Sequence, residues 1–282
     1  MKNENIIADF LKKNDIERYY SSILIDKKHR ASVQVLFAFN AEISTISLKV
    51  SEPKAGEIRL VWWREILEGK RKEEAEQNPI AFALLKMLNK YNLSKLPLIS
   101  LIEARHFDLY NDKMDDMVMF EGYAGEVFSI IYQYVAQILN NGKPLENGNA
   151  AGHIGVAHAL IIHINSFAFN ASRMQLFLPY AVFQTHGINE KQIFAMQENE
   201  KFNAVMTDFL QITNEHLNKA KAAIKLMPKN TKSSFAYIGV LEKQIKLIKK
   251  SNKNNNGLQI SKSLANIQIL LQLFLWTLKN TK

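Results

Sequence analysis

The sequence predicts an all-α protein, and three observations carry that prediction. Long runs of Leu, Ile, Ala, Lys, Glu and Gln favour helix on intrinsic propensity. Only 11 Gly and 6 Pro interrupt 282 residues. The polar and apolar alternation of a half-buried strand is not sustained anywhere along the chain. With 47% hydrophobic and 22% charged residues, a chain of this length buries a large core, because surface grows more slowly than volume. Residues 1–282 are therefore read as a single domain.

The first long helix is expected over Lys28 to Val50, where Val33, Leu36, Phe37 and Ile43 recur at three- and four-residue steps. The segment SEPKAG (Ser51 to Gly56) should end it, since Pro53 disfavours helix in the residue before it. A second helix, Glu57 to Gly69, gathers Ile58, Leu60, Val61 and Trp62 near Ile66 and Leu67, with Gly69 as its stop. Further helices are predicted at Pro79 to Tyr91, Pro97 to Asp108, Met117 to Asn140, Ala150 to Phe169, Asn189 to Lys201, Ala204 to Leu226, Ser233 to Lys250 and Ile260 to Leu278. The polar SNKNNNG (Ser251 to Gly257) reads as a loop.

Composition narrows the function classes. Cysteine is absent, which excludes disulfides and thiolate metal sites and fits a reducing compartment. The opening MKNENIIADFLKKND breaks any apolar stretch with Asp9 and two lysines, so no export signal is expected. A cytoplasmic protein, with contact at the inner face of the membrane, is the corresponding expectation. The longest apolar segments, Ile154 to Phe169 and Ile267 to Leu278, fall short of the ~20 residues that cross a bilayer. A net charge of +9 favours anionic partners such as phospholipid headgroups. The lysines of KQIKLIKKSNK (Lys243 to Lys253) lack the interleaved aromatics of a nucleic-acid groove, so no nucleic-acid partner is expected and a solvated helix face is the reading.

Three groups of residues invite a chemical role. DKMDD sets Asp112 and Asp116 one helical turn apart, but its place ahead of the Met117 helix makes Asp115 or Asp116 a helix cap. His153, His158 and His163 follow one another at five-residue intervals, so successive rings turn by about 140° and should not share a helix face. In Trp62-Trp63, one indole should be core and the other should cover a neighbour beneath the stem of Arg59 or Arg64.

A larger pattern joins these segments. YYSSILIDKKHRASVQVLFAFNAEI (Tyr19 to Ile43), GEIRLVWWREILEG, HFDLYNDKMDDMVMFEGYAGEVFSIIYQYVAQIL and SRMQLFLP follow in the order found in squalene and phytoene synthases, from Tyr19 to about Gly187. The chain thus resembles that family, and the resemblance implies an isoprenoid-synthase-like helical bundle around a central cavity. In active members two aspartate clusters hold magnesium against a diphosphate. Here the matching positions are Ser44, Thr45 and Leu48, then Ser166, Phe169 and Asn170, within a stretch from Glu146 to Glu190 that holds no other Asp or Glu. Magnesium demands hard, usually anionic oxygen ligands, which neutral Ser and Asn do not supply. Glu42 lies about 200° round the helix from Ser44 and points away, and Ala41 stands where the family has an arginine.

The resemblance therefore implies a non-catalytic member without a cofactor. With N-A-E after F-A-F and S-F-A-F-N-A-S-R in place of the aspartates, it looks like the degenerate subgroup that includes the mitochondrial complex I assembly factor of the phytoene synthase-like type. The implied partners are complex I subunits or assembly intermediates, with an isoprenoid or phospholipid as a candidate occupant of the old cavity. The residues implied to line that cavity or to retain an anion are Tyr20, Ser22, Arg30, Ser44, Arg59, Ser166, Asn170 and Arg173. The alternative is a prenyltransferase acting on isoprenyl diphosphates with magnesium held by Asp112, Asp115 and Asp116.

Overall fold

Helix caps and hydroxyl side chains explain where the chain starts and breaks its helices. The computed structural model describes residues 2–145, 149–196, 200–253 and 264–281. It begins with α1 (Lys2–Asn14), α2 (Ile16–Ile23), α3 (Lys27–Ser44), α4 (Ile46–Lys49) and α5 (Pro53–Glu68). Asp15 and Asp26 accept the backbone N–H groups of Arg18 and Lys28 and so cap α2 and α3. Neither α1 nor α2 was predicted: α1 is mostly polar and inserts chiefly Ile7 and Leu11, which are buried, too short a stripe to register as periodicity. Pro53 opens α5 instead of standing in a break, because its missing N–H is one the first turn leaves unpaired anyway. Gly69, at φ +83°, ends that helix in the left-handed conformation glycine tolerates.

The middle of the chain forms α6 (Lys72–Gln77), α7 (Pro79–Lys90) and α8 (Leu96–Ala104), followed by a 3-10 turn at Arg105–Leu109. Then α9 (Met117–Ala124), a π-helical turn at Gly125–Ser129 and α10 (Ile130–Leu139) continue one another across the predicted Met117 to Asn140 span. Beyond lie α11 (Asn149–Asn165), α12 (Phe167–Ser172), α13 (Tyr180–Thr185), α14 (Glu190–Phe194), α15 (Glu200–Lys225), a 3-10 turn at Lys229–Phe235, α16 (Ile238–Lys253) and α17 (Asn266–Asn280). The predicted Asn189 to Lys201 helix is divided between α14 and the start of α15. Residues 254–257 of the expected polar loop and 260–263 of the expected last helix lie outside the described residues.

Two predicted helices break in the same way. Thr45 Oγ1 donates to the Ala41 carbonyl at 2.9 Å between α3 and α4, and Ser166 Oγ donates to the Ile162 carbonyl at 2.7 Å between α11 and α12. A hydroxyl bonded back to the carbonyl four residues earlier bends a helix, so Lys28 to Val50 and Ala150 to Phe169 each become a long helix and a short continuation.

The rod α9–α10 sits between two hydrophobic clusters. Tyr132 and Ala136 face the cluster built from α11, α15, α16 and α17, whereas Ile131, Tyr134 and Val135 face the one built from α1, α3, α5, α7 and α8. Phe39, Phe120, Phe183 and Phe209 are fully buried, and each such side chain contributes about 1.5–3 kcal/mol. Trp63 is buried edge-on to Phe39 at 5.3 Å. Trp62 donates to Glu74 at 2.5 Å, because α6 brings that carboxylate against α5. On α16, Lys246, Lys249 and Lys250 are exposed. Among the described residues no helix is long and apolar enough to cross a membrane.

α11 crosses the π-helical turn at Gly155, where an added Cβ would meet Ser129 Oγ at 2.0 Å and the Ser129 backbone at 2.7 Å. Backbone cannot rotate aside as a side chain does, so Gly155→Ala is expected to lower the free energy of unfolding by about 3 kcal/mol. A shift of the urea midpoint relative to wild type measures it; an unchanged midpoint would show that the two helices separate at little cost.

Candidate functional site

The broken ends of α3 and α11 close on a common space. Together with α2, the 3-10 turn after α8, and α9, they surround a cavity of about 370 Å³, within the range of small-molecule sites. Ser44, Thr45 and Leu48 line one side and Ser166, Phe169 and Asn170 the other. All six positions matched to the two aspartate clusters thus border one cavity, and none is acidic. Arg173 ties the sides together at the rim, donating to the Ser47 carbonyl at 3.3 Å with its guanidinium 5.5 Å from the Phe169 ring centre.

Of the eight residues named from sequence, Ser44, Ser166 and Asn170 line the cavity and Arg173 reaches its rim. The other four are placed elsewhere. Tyr20 packs partly buried against the C-terminal core. Ser22 is buried, donating to the Tyr19 carbonyl at 2.6 Å and accepting from Gln34 at 3.0 Å. Arg30 donates to the carbonyls of Ile23 and Ile25 and so closes the end of α2; it lies about 21 Å along α3 from Ser44. Arg59 is exposed on α5. Glu42 pairs with Lys49 at 3.4 Å and is not in the cavity wall.

The interior wall carries what the sequence reading missed. Arg105 Nη1 bonds Asp108 at 2.7 Å and Tyr123 OH donates to the other Asp108 oxygen at 2.7 Å, while Gln175 donates to the Asp108 carbonyl at 3.2 Å. The i, i+3 spacing of Arg105 and Asp108 was a usable signal. Asp15, Glu17 and Arg18 come from the unpredicted α1–α2 corner: Asp15 lies 3.6 Å from Arg18 Nε, and Glu17 accepts from the Tyr237 hydroxyl. Burial pushes the carboxyls of Asp15 and Glu17 above the usual range.

The histidine spacing misled in one respect. His158 and His163 both line the cavity, their rings 5.4 and 6.2 Å from that of Phe128, because α11 is buried nearly all round and the cavity wraps part of it. His158 Nδ1 bonds Tyr132 OH at 2.9 Å, and His163 stacks on Phe177 at 4.5 Å. Burial, then the Arg105 charge, hold His163 down to about 3, and burial drives His158 well below the imidazole range. Both are neutral at pH 7. His153 is elsewhere, 3.2 Å from His216.

These donors do not fit magnesium. The facing positions offer uncharged oxygens, and the three carboxylates in the wall are engaged: Asp108 by Arg105 and Tyr123, Glu17 by Tyr237, and Asp15 by the Arg18 backbone and guanidinium. Octahedral magnesium needs converging anionic oxygens, and no group of three or more His, Cys, Asp or Glu placed to hold a metal ion occurs among the described residues. Asp112, Asp115 and Asp116 are exposed and none lines the cavity; Asp116 caps α9 by accepting Met119 N–H at 2.9 Å.

Comparison with known proteins agrees with the helical fold. The sequence model of the squalene/phytoene synthase family matches residues 11–265. Over 247 residues the chain is 27% identical to "NADH dehydrogenase (ubiquinone) complex I, assembly factor 6" of Homo sapiens, covering 88% of this chain and 74% of that protein. A dehydrosqualene synthase in complex with ligand superposes with a TM-score of 0.80 at 14% identity, covering 99% of this chain and 97% of the other. The squalene synthase HpnC from Alicyclobacillus acidocaldarius gives 0.75 at 14% identity, covering 89% and 95%. At such identity the structural likeness establishes the fold alone, an isoprenoid-synthase bundle.

Proposed function

Because the chain belongs to the squalene/phytoene synthase family, we propose that it is a non-catalytic member that supports assembly of respiratory complex I. The observation that carries this reading is the uncharged set Ser44, Thr45, Leu48, Ser166, Phe169 and Asn170 around the cavity. Ionising an allylic diphosphate separates charge, and the leaving group must be neutralised by cations that this wall has no means of gathering. The relative named for complex I assembly supplies the process. The cavity is retained as a binding space for a lipid, and the net charge of +9 suits contact with an anionic membrane face.

A prenyltransferase is the second reading, and Asp15, Glu17 and Asp108 in the cavity wall are what favour it. Their existing partners weigh against it. Purified protein incubated with farnesyl diphosphate and Mg²⁺ is expected to release no diphosphate above the protein-free rate, and metal-dependent release would restore the enzyme. Deleting the gene is expected to deplete assembled NADH:quinone oxidoreductase on a native gel; a full complement of complex would remove the assembly role.

A further inference from the structure

At the mouth the Arg173 guanidinium is engaged by the Ser47 carbonyl and the Phe169 ring. The exposed lining residues are apolar: Leu48 is 55% and Phe169 50% accessible. One turn inward from Ser44, about 6 Å along α3, Asn40 is 4% accessible and its Oδ1 has no hydrogen-bond partner. Three residues before Ser166, His163 is 7% accessible with neither ring nitrogen bonded. Arg18 Nη1 and Arg105 Nε, in residues 8% accessible, likewise have no hydrogen-bond partner, and all four residues line the cavity.

Buried polar groups are almost always paired, so four unpaired ones around a single space describe the ligand they would satisfy. The guanidinium N–H groups donate, the Asn40 oxygen accepts, and a neutral imidazole offers one of each. The charges are already balanced, Arg105 by Asp108 and Arg18 by Asp15, with Glu17 adding a further carboxyl. A multiply charged headgroup therefore meets no excess of positive charge, whereas a hydroxyl or carbonyl oxygen fits both kinds of partner. Building on the non-catalytic reading, we infer that the cavity holds an uncharged, single-chain amphipathic molecule with its head turned inward. The hydroxyl- or carbonyl-bearing end meets Asn40, His163, Arg18 and Arg105, and the apolar chain leaves over Leu48 and Phe169.

Titration calorimetry of the full-length protein with farnesol and with 1-dodecanol tests this, the branched and straight chains separating an isoprenoid from an acyl-type source. One alcohol is expected to bind at one per chain and more tightly than farnesyl diphosphate with Mg²⁺. Asn40→Leu and His163→Phe should each weaken it roughly tenfold, the loss of one buried hydrogen bond. Both variants are expected to unfold at or above the wild-type temperature, since each removes an unpaired polar group. A crystal structure of wild type soaked with the bound alcohol gives a readout independent of those variants: its oxygen should lie within hydrogen-bond reach of Asn40 or His163. Absence of alcohol binding, unchanged affinity in both variants, or an oxygen seated at Ser44 and Ser166 would overturn the inference. Any of these without metal-dependent diphosphate release leaves the non-catalytic reading standing; release of diphosphate removes both.

Discussion

Replacing Asp108 with Ala is expected to destabilise the protein by about 3–5 kcal/mol, because it leaves the buried Arg105 guanidinium without its counter-charge. Both side chains are under 10% accessible, and the Tyr123 hydroxyl loses its acceptor in the same step. Removing both charges together tells pairing from packing. The double variant Arg105→Met/Asp108→Leu fills similar volume with apolar atoms and should recover most of the loss, since desolvating a buried pair offsets much of its attraction. Urea unfolding of wild type, Arg105→Met, Asp108→Leu and the double variant closes the cycle. If Asp108→Ala unfolds at the wild-type midpoint, water reaches Arg105 and the cavity wall is open where it is drawn closed.

Acid should unfold the protein partly through His163. Its folded-state pKa lies at about 3 against an ordinary 6.5, chiefly from burial and then from Arg105. The unfolded chain therefore takes up a proton first as the pH falls. The associated stability is fully present above 6.5 and is lost progressively toward 3, at up to about 1.4 kcal/mol per pH unit. Asp15 and Glu17, raised by burial, act in the opposite sense, since the folded state holds their protons more readily. They are common to wild type and variant, so a difference curve isolates the histidine. His163→Phe keeps a ring against Phe177. Between pH 6.5 and 4 its stability relative to wild type should rise by about 3 kcal/mol. Parallel curves would mean that His163 is hydrated in the folded state.

The two faces of the cavity differed in how far they could be read from the sequence. The mouth was legible because Ser44, Thr45, Leu48, Ser166, Phe169 and Asn170 lie in continuous segments whose order matches the family, so that counting from the FAF run and back from Leu178 and Pro179 locates them. The interior was not. Arg18, Asn40, Arg105 and His163 come from four separate elements and Tyr237 from the turn before α16, and no local spacing says that they meet. Arg30 and Arg59 show the converse: a resemblance in sequence position does not set where a side chain ends, and Arg30 closes the end of α2 while Arg59 faces solvent.

What the amino-acid order determined alone was the helical class, most helix spans and the loss of carboxylates at the two cluster positions, all consequences of short-range periodicity and of side-chain chemistry at fixed places. The packing of helices decided the rest: that both altered clusters border one space, that Asp108 is engaged by Arg105, and that unpaired polar atoms gather deep while Leu48 and Phe169 stand exposed at the rim. Those outcomes depend on contacts between residues far apart in the chain, and only the folded arrangement sets their distances.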